Sequence, residues 1–357
     1  MMYFDPLVHP PQNLSIEITT ECNLRCKHCH LWMSKENDTS LSTNEKLDLV
    51  MQFYSLNPKG FVTLTGGEPM SKSEEFFAIT KLCHSLNIGT ASNTNSSYIT
   101  DENMDQVLSE GALVLIVSLD SHIEKIHDYI RGVKGSYSHA TNTIKKLIER
   151  RKNEHPTVNS KIYTNSVIFD ENVDHWSDYI EFARNELGVD GVTFQMLSGT
   201  FYNQNKKGDH FFEKHFIKDV KKAHAVIDNL LTKYADDEFL LVSQNDLEWM
   251  KSYIENPNFV GEQTCGSHEK NLIINQNGDV QLCFNMMSDL TNGKPLGNVR
   301  HSSLKDLWTS QFASDMRDIM STCSLSCGML SCHRKPVPDA SASWQLSGRR
   351  ILRQLLN

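Results

Sequence analysis

No stretch of this sequence stays apolar for anything near the roughly 20 residues that a bilayer-spanning helix needs. The first residues, Met1 to Pro11, also lack the basic segment and apolar core of a secretory signal. A membrane partner is not expected, and the chain reads as cytoplasmic, where thiols stay reduced. Positive charge is in short supply too: 35 Lys and Arg face 44 Asp and Glu, for a net charge of −9. Duplex-binding proteins show the opposite excess, so nucleic acid is not the expected partner. Internal repeats and low-complexity tracts are missing as well.

What is present is ordinary globular composition, 39% hydrophobic and 22% charged over 357 residues. That length suits one large domain with an appendage, or two domains. The nine cysteines are the informative feature. Cys22, Cys26 and Cys29 fall in one short run, and Cys265, Cys283, Cys323, Cys327 and Cys332 form a second group. A disulfide framework is not expected in a reducing compartment and a chain this long, so both groups read as metal-binding. Cys83 stands alone within a helical pattern and reads as a buried structural thiol.

Between residue 14 and about residue 197 the pattern alternates strand and helix. Strands are expected at Leu14–Thr19, Phe61–Thr65, Ile88–Ser92, Ala112–Leu119, Lys161–Phe169 and Gly191–Leu197. Helices are expected at Leu41–Tyr54, Glu74–Leu86, Asp101–Leu108, Tyr137–Arg151 and Val173–Leu187. Such alternation predicts parallel strands joined by right-handed crossovers, with functional groups on the rim at the strand ends. Residues 198–257 read as a helical linker, with helices at Phe211–Tyr234 and Asp246–Ile254. Residues 258–357 form a cysteine-bearing module with a hairpin around Asn277-Gly278, a helix at Leu304–Met320 and a basic tail. His210, His215 and His224 share no clean helical face and read as mostly surface, and the Arg349–Arg353 tail reads as a docking helix or solvated end.

The loop after the first strand reads Cys22-x3-Cys26-x2-Cys29. A [4Fe–4S] cluster takes four cysteines as a rule. Three leave one iron open to bind something else. A zinc site completed by His28 or His30 is the plainer alternative. The spacing, however, resembles the signature of the radical S-adenosylmethionine superfamily, and further motifs follow in that family's order. Thr65-Gly66-Gly67-Glu68-Pro69 looks like its GGEP element, where glycines admit the methionine ammonium and Glu68 neutralises it. Asn93 and Asn95, at the third strand's end, are similar to its ribose-binding segment. Ser118, Asp120 and Arg131 look like the elements that bind the methionine carboxylate and orient the site, and His28 stands where an aromatic group lies near the adenine. Asn165 and Gln195 point to the same rim by position alone.

The second cysteine group resembles the SPASM or twitch modules of the same superfamily. Five cysteines imply one auxiliary [4Fe–4S] cluster, held by Cys265, Cys283, Cys323 and Cys327, with Cys332 able to replace one of them; a zinc knuckle is the alternative. The resemblance implies an α/β fold: a partial, TIM-like (β/α)6 barrel over residues 1–197 with the iron–sulfur module at the C-terminus. It implies an enzyme that cleaves S-adenosylmethionine to a 5′-deoxyadenosyl radical and takes a hydrogen from a substrate C–H. The substrate is expected to be a ribosomally made peptide or protein that is oxidised, cross-linked or epimerised. A small molecule such as a sugar or cyclitol is the alternative. An electron donor such as flavodoxin or ferredoxin is an implied partner. Barely twenty residues precede Cys22, so a leader-peptide-recognition domain is expected to act from a separate protein. A non-catalytic iron–sulfur or zinc protein is the rival class, and Glu68, Ser118 and Arg131 speak against it, since a scaffold has no use for a cofactor pocket.

Overall fold

The computed structural model describes residues 6, 9–34, 39–203, 208–235, 237–259 and 265–323. The expected alternation is there: β1 (Asn13–Thr19), α1 (Thr43–Leu56), β2 (Phe61–Gly66), α2 (Ser73–Ser85), β3 (Gly89–Thr94), α3 (Met104–Glu110) and β4 (Val114–Ser118). Then come α4 (Glu124–Arg131), α5 (Ser136–Glu154), β5 (Lys161–Ile168), α6 (Trp176–Phe182) and β6 (Gly191–Met196). Every pairing from β1 to β6 is parallel. The sheet order β6-β5-β4-β3-β2-β1 leaves the partial barrel open.

Successive strand residues face opposite sides, and the two sides differ here. On the outer side Leu14, Ile16, Val62, Leu64, Leu115, Val117 and Ile162 join one core with Phe53 of α1, Phe76 of α2 and Ile144 of α5. Each such fully buried side chain adds about 1.5–3 kcal/mol, so this shell holds the helices on the sheet. The inner side is apolar at its base, where Ala91, Val114, Tyr163 and Leu241 pack with Phe61 and Ile116. Toward the strand ends the inward positions turn polar: Glu17, Thr65, Asn93, Ser118, Asn165 and Gln195.

The linker holds α7 (His210–His215), α8 (Val220–Lys233) and α9 (Gln244–Glu255). The single helix expected over Phe211–Tyr234 is two, because Asp219 caps a fresh start by accepting from Lys222 N–H. His215, expected at the surface, is buried: its Nε2 meets the Tyr129 hydroxyl at 3.1 Å and its Nδ1 meets Glu171. Helical spacing alone could not reveal that, since the pocket is made by α4 and the β5–α6 connection.

The C-terminal module contributes β7 (Asn271–Ile274), β8 (Asp279–Gln281), β9 (Gly297–Asn298), α10 (Leu304–Thr309) and α11 (Gln311–Ser321). The expected hairpin is β7 with β8. The expected helix over Leu304–Met320 is broken at Ser310, which caps α11 by accepting from Ala313 N–H. β7 pairs in parallel with β1, so barrel and module share one sheet of nine strands among the described residues. Arg300 fastens the module to α1 through Glu45 and the carbonyls of Thr39 and Ser40. Among the described residues no helix is long and apolar enough to cross a membrane.

Candidate active site at the cluster loop

Leu24, 3% exposed, pins the loop that follows β1. Backbone bonds lace the rest of the loop to its surroundings: Arg25 N–H to Arg131 O at 3.0 Å, Lys27 N–H to Ile130 O at 2.8 Å and His30 N–H to Phe201 O at 2.8 Å. Gly67 N–H and Glu68 N–H donate to the carbonyls of Thr19 and Glu21, both at 2.7 Å. That approach is possible only without side chains. A Cβ on Gly66 would strike the Thr19 carbonyl, one on Gly67 would strike the Glu21 carbonyl, and Gly66 has φ +129°.

The three loop cysteines line one cavity of about 170 Å³. His28, Gly66, Gly67, Glu68, Asn93, Asn95, Ser118 and Arg131 line the same cavity. Asp120 does not. It lies behind Arg131 and takes that guanidinium in two contacts, Nε at 2.7 Å and Nη2 at 2.9 Å, while Arg131 Nη1 reaches toward Cys26 Sγ at 3.8 Å. Asp120 therefore aims Arg131 rather than meeting a ligand itself. Burial works to raise the Asp120 carboxyl, but Arg131, the nearby histidines and Val167 N–H outweigh it and keep the group below the usual carboxylate range. Burial opposes the Arg131 charge, and Asp120 and Cys26 more than restore it.

Glu68 is 1% exposed and accepts from Asn95 N–H at 2.6 Å, Thr94 Oγ1 at 2.7 Å and Met70 N–H at 3.2 Å. Burial still pushes its pKa up to about 7, so a cation placed in the cavity would be strongly favoured beside it. Burial likewise pushes the Cys22 thiol up to about 11, Cys29 up to about 12 and Cys26 upward. Metal ligation would replace those thiol protons. His28 is held neutral by burial, with its pKa lowered to about 4, and its buried Nδ1 has no hydrogen-bond partner among the described residues.

Among the described residues no three His, Cys, Asp or Glu side chains converge as a single-ion site would require. The thiols instead edge a cavity with a carboxylate, a guanidinium and amides on its walls. Three thiols for the irons, an acid for an ammonium and a free histidine nitrogen fit an iron–sulfur cluster with a charged amino acid beside it.

In the C-terminal module Cys265 is buried and Cys283 half-buried, with Asn285 N–H donating to the Cys283 sulfur at 3.3 Å. Cys323 follows α11 and is half-buried. Cys327, Cys332 and the Arg349–Arg353 tail lie outside the described residues. Cys83 is fully buried on the core-facing side of α2 and does not line the cavity.

Two features of the region escape sequence reasoning. Glu17, facing inward from β1, accepts from the Tyr202 hydroxyl at 3.2 Å, and burial pushes its pKa up to about 7. The segment after β6 joins the two cysteine groups. Phe201 bridges to Cys29 through the backbone, and its ring meets Phe284, the neighbour of Cys283, at 5.8 Å. Only the acidic residue on the polar, inward side of β1 could have pointed to the first.

Comparison with known proteins agrees with this geometry. The Radical SAM superfamily profile matches residues 16–183, and the SPASM profile, an iron–sulfur cluster-binding domain, matches residues 265–332. The sporulation killing factor maturation protein SkfB of Bacillus subtilis is 29% identical over 175 residues, 49% of this chain and 40% of that protein. The subtilosin biosynthesis protein AlbA of Bacillus subtilis is 21% identical over 305 residues, 84% of this chain and 60% of that protein. The matches thus take in about half, 40% and 60%, of the length of these two curated relatives. Among solved structures, Streptococcus suis SuiB bound to S-adenosylmethionine superposes with a TM-score of 0.64 at 19% identity, over 90% of this chain and 72% of that one. The structure titled anSMEcpe with bound AdoMet and Cp18Cys peptide gives 0.62 at 17% identity, over 98% of both chains.

Residues 16–183 thus match the radical S-adenosylmethionine superfamily and residues 265–332 a SPASM-type iron–sulfur domain, two domains whose cofactors are a [4Fe–4S] cluster with S-adenosylmethionine and an auxiliary iron–sulfur cluster.

Proposed function

We propose that this chain cleaves S-adenosylmethionine reductively and removes a hydrogen atom from a C–H bond of a ribosomally made peptide. The observation that carries the reading is the single cavity in which Cys22, Cys26 and Cys29 face Glu68, Asn93, Ser118 and Arg131. A bound cluster with an open iron supplies the electron that breaks the sulfonium C–S bond. The chain's own residues do the rest. Glu68 holds the methionine ammonium, and Arg131, aimed by Asp120, sets positive charge beside the carboxylate and the Cys26 thiolate. His28 and the asparagines of β3 hold the nucleoside. The apolar base of Ala91, Val114, Tyr163 and Leu241 closes the barrel below and keeps water from the radical. Cys265, Cys283, Cys323 and Cys327, with Cys332 in reserve, would hold one auxiliary [4Fe–4S] cluster, and the chemistry it would supply is an acceptor for the electron left on the substrate.

A peptide substrate is favoured by the relatives: SkfB and AlbA are named for peptide maturation, and SuiB has a structure with its precursor peptide SuiA. The test is anaerobic incubation of reconstituted protein with S-adenosylmethionine, dithionite and a short peptide encoded beside its gene. Formation of 5′-deoxyadenosine, with loss of two hydrogens from the peptide or a change of its stereochemistry, supports the reading. Stoichiometric zinc in place of iron, and no 5′-deoxyadenosine, contradicts it.

A further inference from the structure

We propose that Gln276, in the turn of the β7–β8 hairpin, is the positioning residue through which the C-terminal module sets the cluster loop against Glu68. The proposal rests on the reading of the cavity as the S-adenosylmethionine site. The segment that carries Cys22, Cys26 and Cys29 leaves β1 at Thr20 and re-enters the core at Leu41. Both ends meet one residue. Thr20 N–H and the Thr20 hydroxyl each donate to Gln276 Oε1 at 3.2 Å, and Leu41 N–H donates to Gln276 O at 2.7 Å. Thr20 and Gln276 are both buried, so water does not readily replace either partner. Thr20 also stands between the two carbonyls, of Thr19 and Glu21, that take the Gly67 and Glu68 N–H groups. Cys22 comes two residues later. A displacement of Thr20 therefore moves the first cluster thiol relative to Glu68, the acid that would hold the methionine ammonium.

Gln276 can hold Thr20 because its own place is fixed. Asn275 Oδ1 accepts from Asn277 N–H and Asp279 N–H, both at 3.0 Å, and Asn277 O accepts from Asn298 Nδ2 at 2.9 Å. Gly278, with φ +89°, brings the turn against the far end of the segment: a Cβ there would lie 3.1 Å from Leu41 Cδ2. The hairpin is tied to the barrel by β7 pairing with β1, and β8 leads from the turn toward Cys283. The sheet, rather than the thiols, thus holds the turn, and the anchor is expected to outlast loss of the auxiliary cluster. The module has a task at the first cluster that its own cluster does not perform.

The test compares reconstituted wild type with Gln276→Met, Gln276→Glu and Thr20→Val. Calorimetry measures S-adenosylmethionine binding. Electron paramagnetic resonance follows the shift of the dithionite-reduced cluster signal when S-adenosylmethionine is added, and 5′-deoxyadenosine formation gives KM and kcat. Methionine keeps the length of glutamine and removes the acceptor. Gln276→Met is expected to hold about eight irons per chain, to raise Kd and KM for S-adenosylmethionine about tenfold with kcat little changed, and to shrink the resonance shift. Gln276→Glu still offers Thr20 an oxygen and is expected to recover most of the affinity. Thr20→Val removes the hydroxyl alone and is expected to lose less than Gln276→Met; added to Gln276→Met it should cost nothing further, as one coupled pair requires. Wild-type affinity and an unchanged resonance shift in Gln276→Met overturn the proposal, as does Gln276→Glu binding as weakly as Gln276→Met. If Gln276→Met does not fold, Thr20→Val decides by the same titration, and wild-type affinity there overturns the proposal. Wild type that holds its iron but binds no S-adenosylmethionine overturns the reading of the cavity instead.

Discussion

Cys26 follows β1 and Cys283 follows β8 of one continuous sheet, yet their surroundings have little in common. Cys26 opens on a cavity whose walls are charged: Arg131 reaches its sulfur, Asp120 backs Arg131, and Glu68 stands across the space. Cys283 follows the fully buried Leu282 and precedes Phe284, whose ring packs on Phe201. The first environment sets both signs of charge opposite the thiols. The second sets apolar side chains beside its thiol. The difference teaches that cysteine spacing proposes a metal, and the groups opposite the thiols decide what the metal is for.

The sharpest way to break the comparison is to remove charge from the first region. Asp120→Ala leaves Arg131 buried without its carboxylate, which should cost about 3–5 kcal/mol of stability, read by anaerobic urea unfolding. A loss below about 1 kcal/mol would mean that the pair is solvated and does not set the site. Next in size is Gly67→Ala, whose Cβ would push the Glu21 carbonyl and the cluster loop outward. Iron should fall from about eight to about four per chain, since Cys265 and Cys283, which would hold the auxiliary [4Fe–4S] cluster, stand on a different part of the sheet. Unchanged iron would show that the loop tolerates the displacement. Glu68→Ala should then weaken S-adenosylmethionine binding by roughly 10- to 150-fold, the value of a charged hydrogen bond of about 1.5–3 kcal/mol, with iron content unchanged. Calorimetric titration checks it, and equal affinity would misplace the ammonium.

The smallest expected effect is a pH dependence. Glu17 has a folded pKa of about 7 against a usual value of 4.5. Between those values the folded state keeps a proton that the unfolded state has lost, so stability falls as pH rises through the window. Glu17→Gln should flatten that slope, measured by unfolding at a series of pH values; a steeper slope would reverse the sign of the argument.

Much of the fold is legible from the chain because the parallel strands are apolar on their outer face and end in polar residues. Each of the six expected barrel strands is present within a few residues of its expected bounds. The cofactor-binding residues named from motifs reach one cavity, except Asp120, whose place behind Arg131 depends on the approach of α4 to β4 and β5. α4 itself is hard to read, since Glu-Lys-Ile-His-Asp-Tyr-Ile-Arg offers two aliphatic residues in eight and buries His127 and Arg131 alongside Ile130. The parallel seam of β7 on β1 joins segments far apart in the chain, and no local pattern encodes it. The burial of His215 and the meeting of Glu17 with Tyr202 are hidden for the same reason.

The central claim, that the two cysteine groups do different jobs, is tested most directly by counting 5′-deoxyadenosine in two reconstituted variants under dithionite. Cys26→Ala should make none, because it dismantles the cluster that faces the cofactor cavity. Cys283→Ala, soluble and with its N-terminal cluster intact, should make it at close to the wild-type rate while releasing little modified peptide. Equal loss of 5′-deoxyadenosine in both variants, or fully modified peptide from Cys283→Ala at the wild-type rate, would contradict the account.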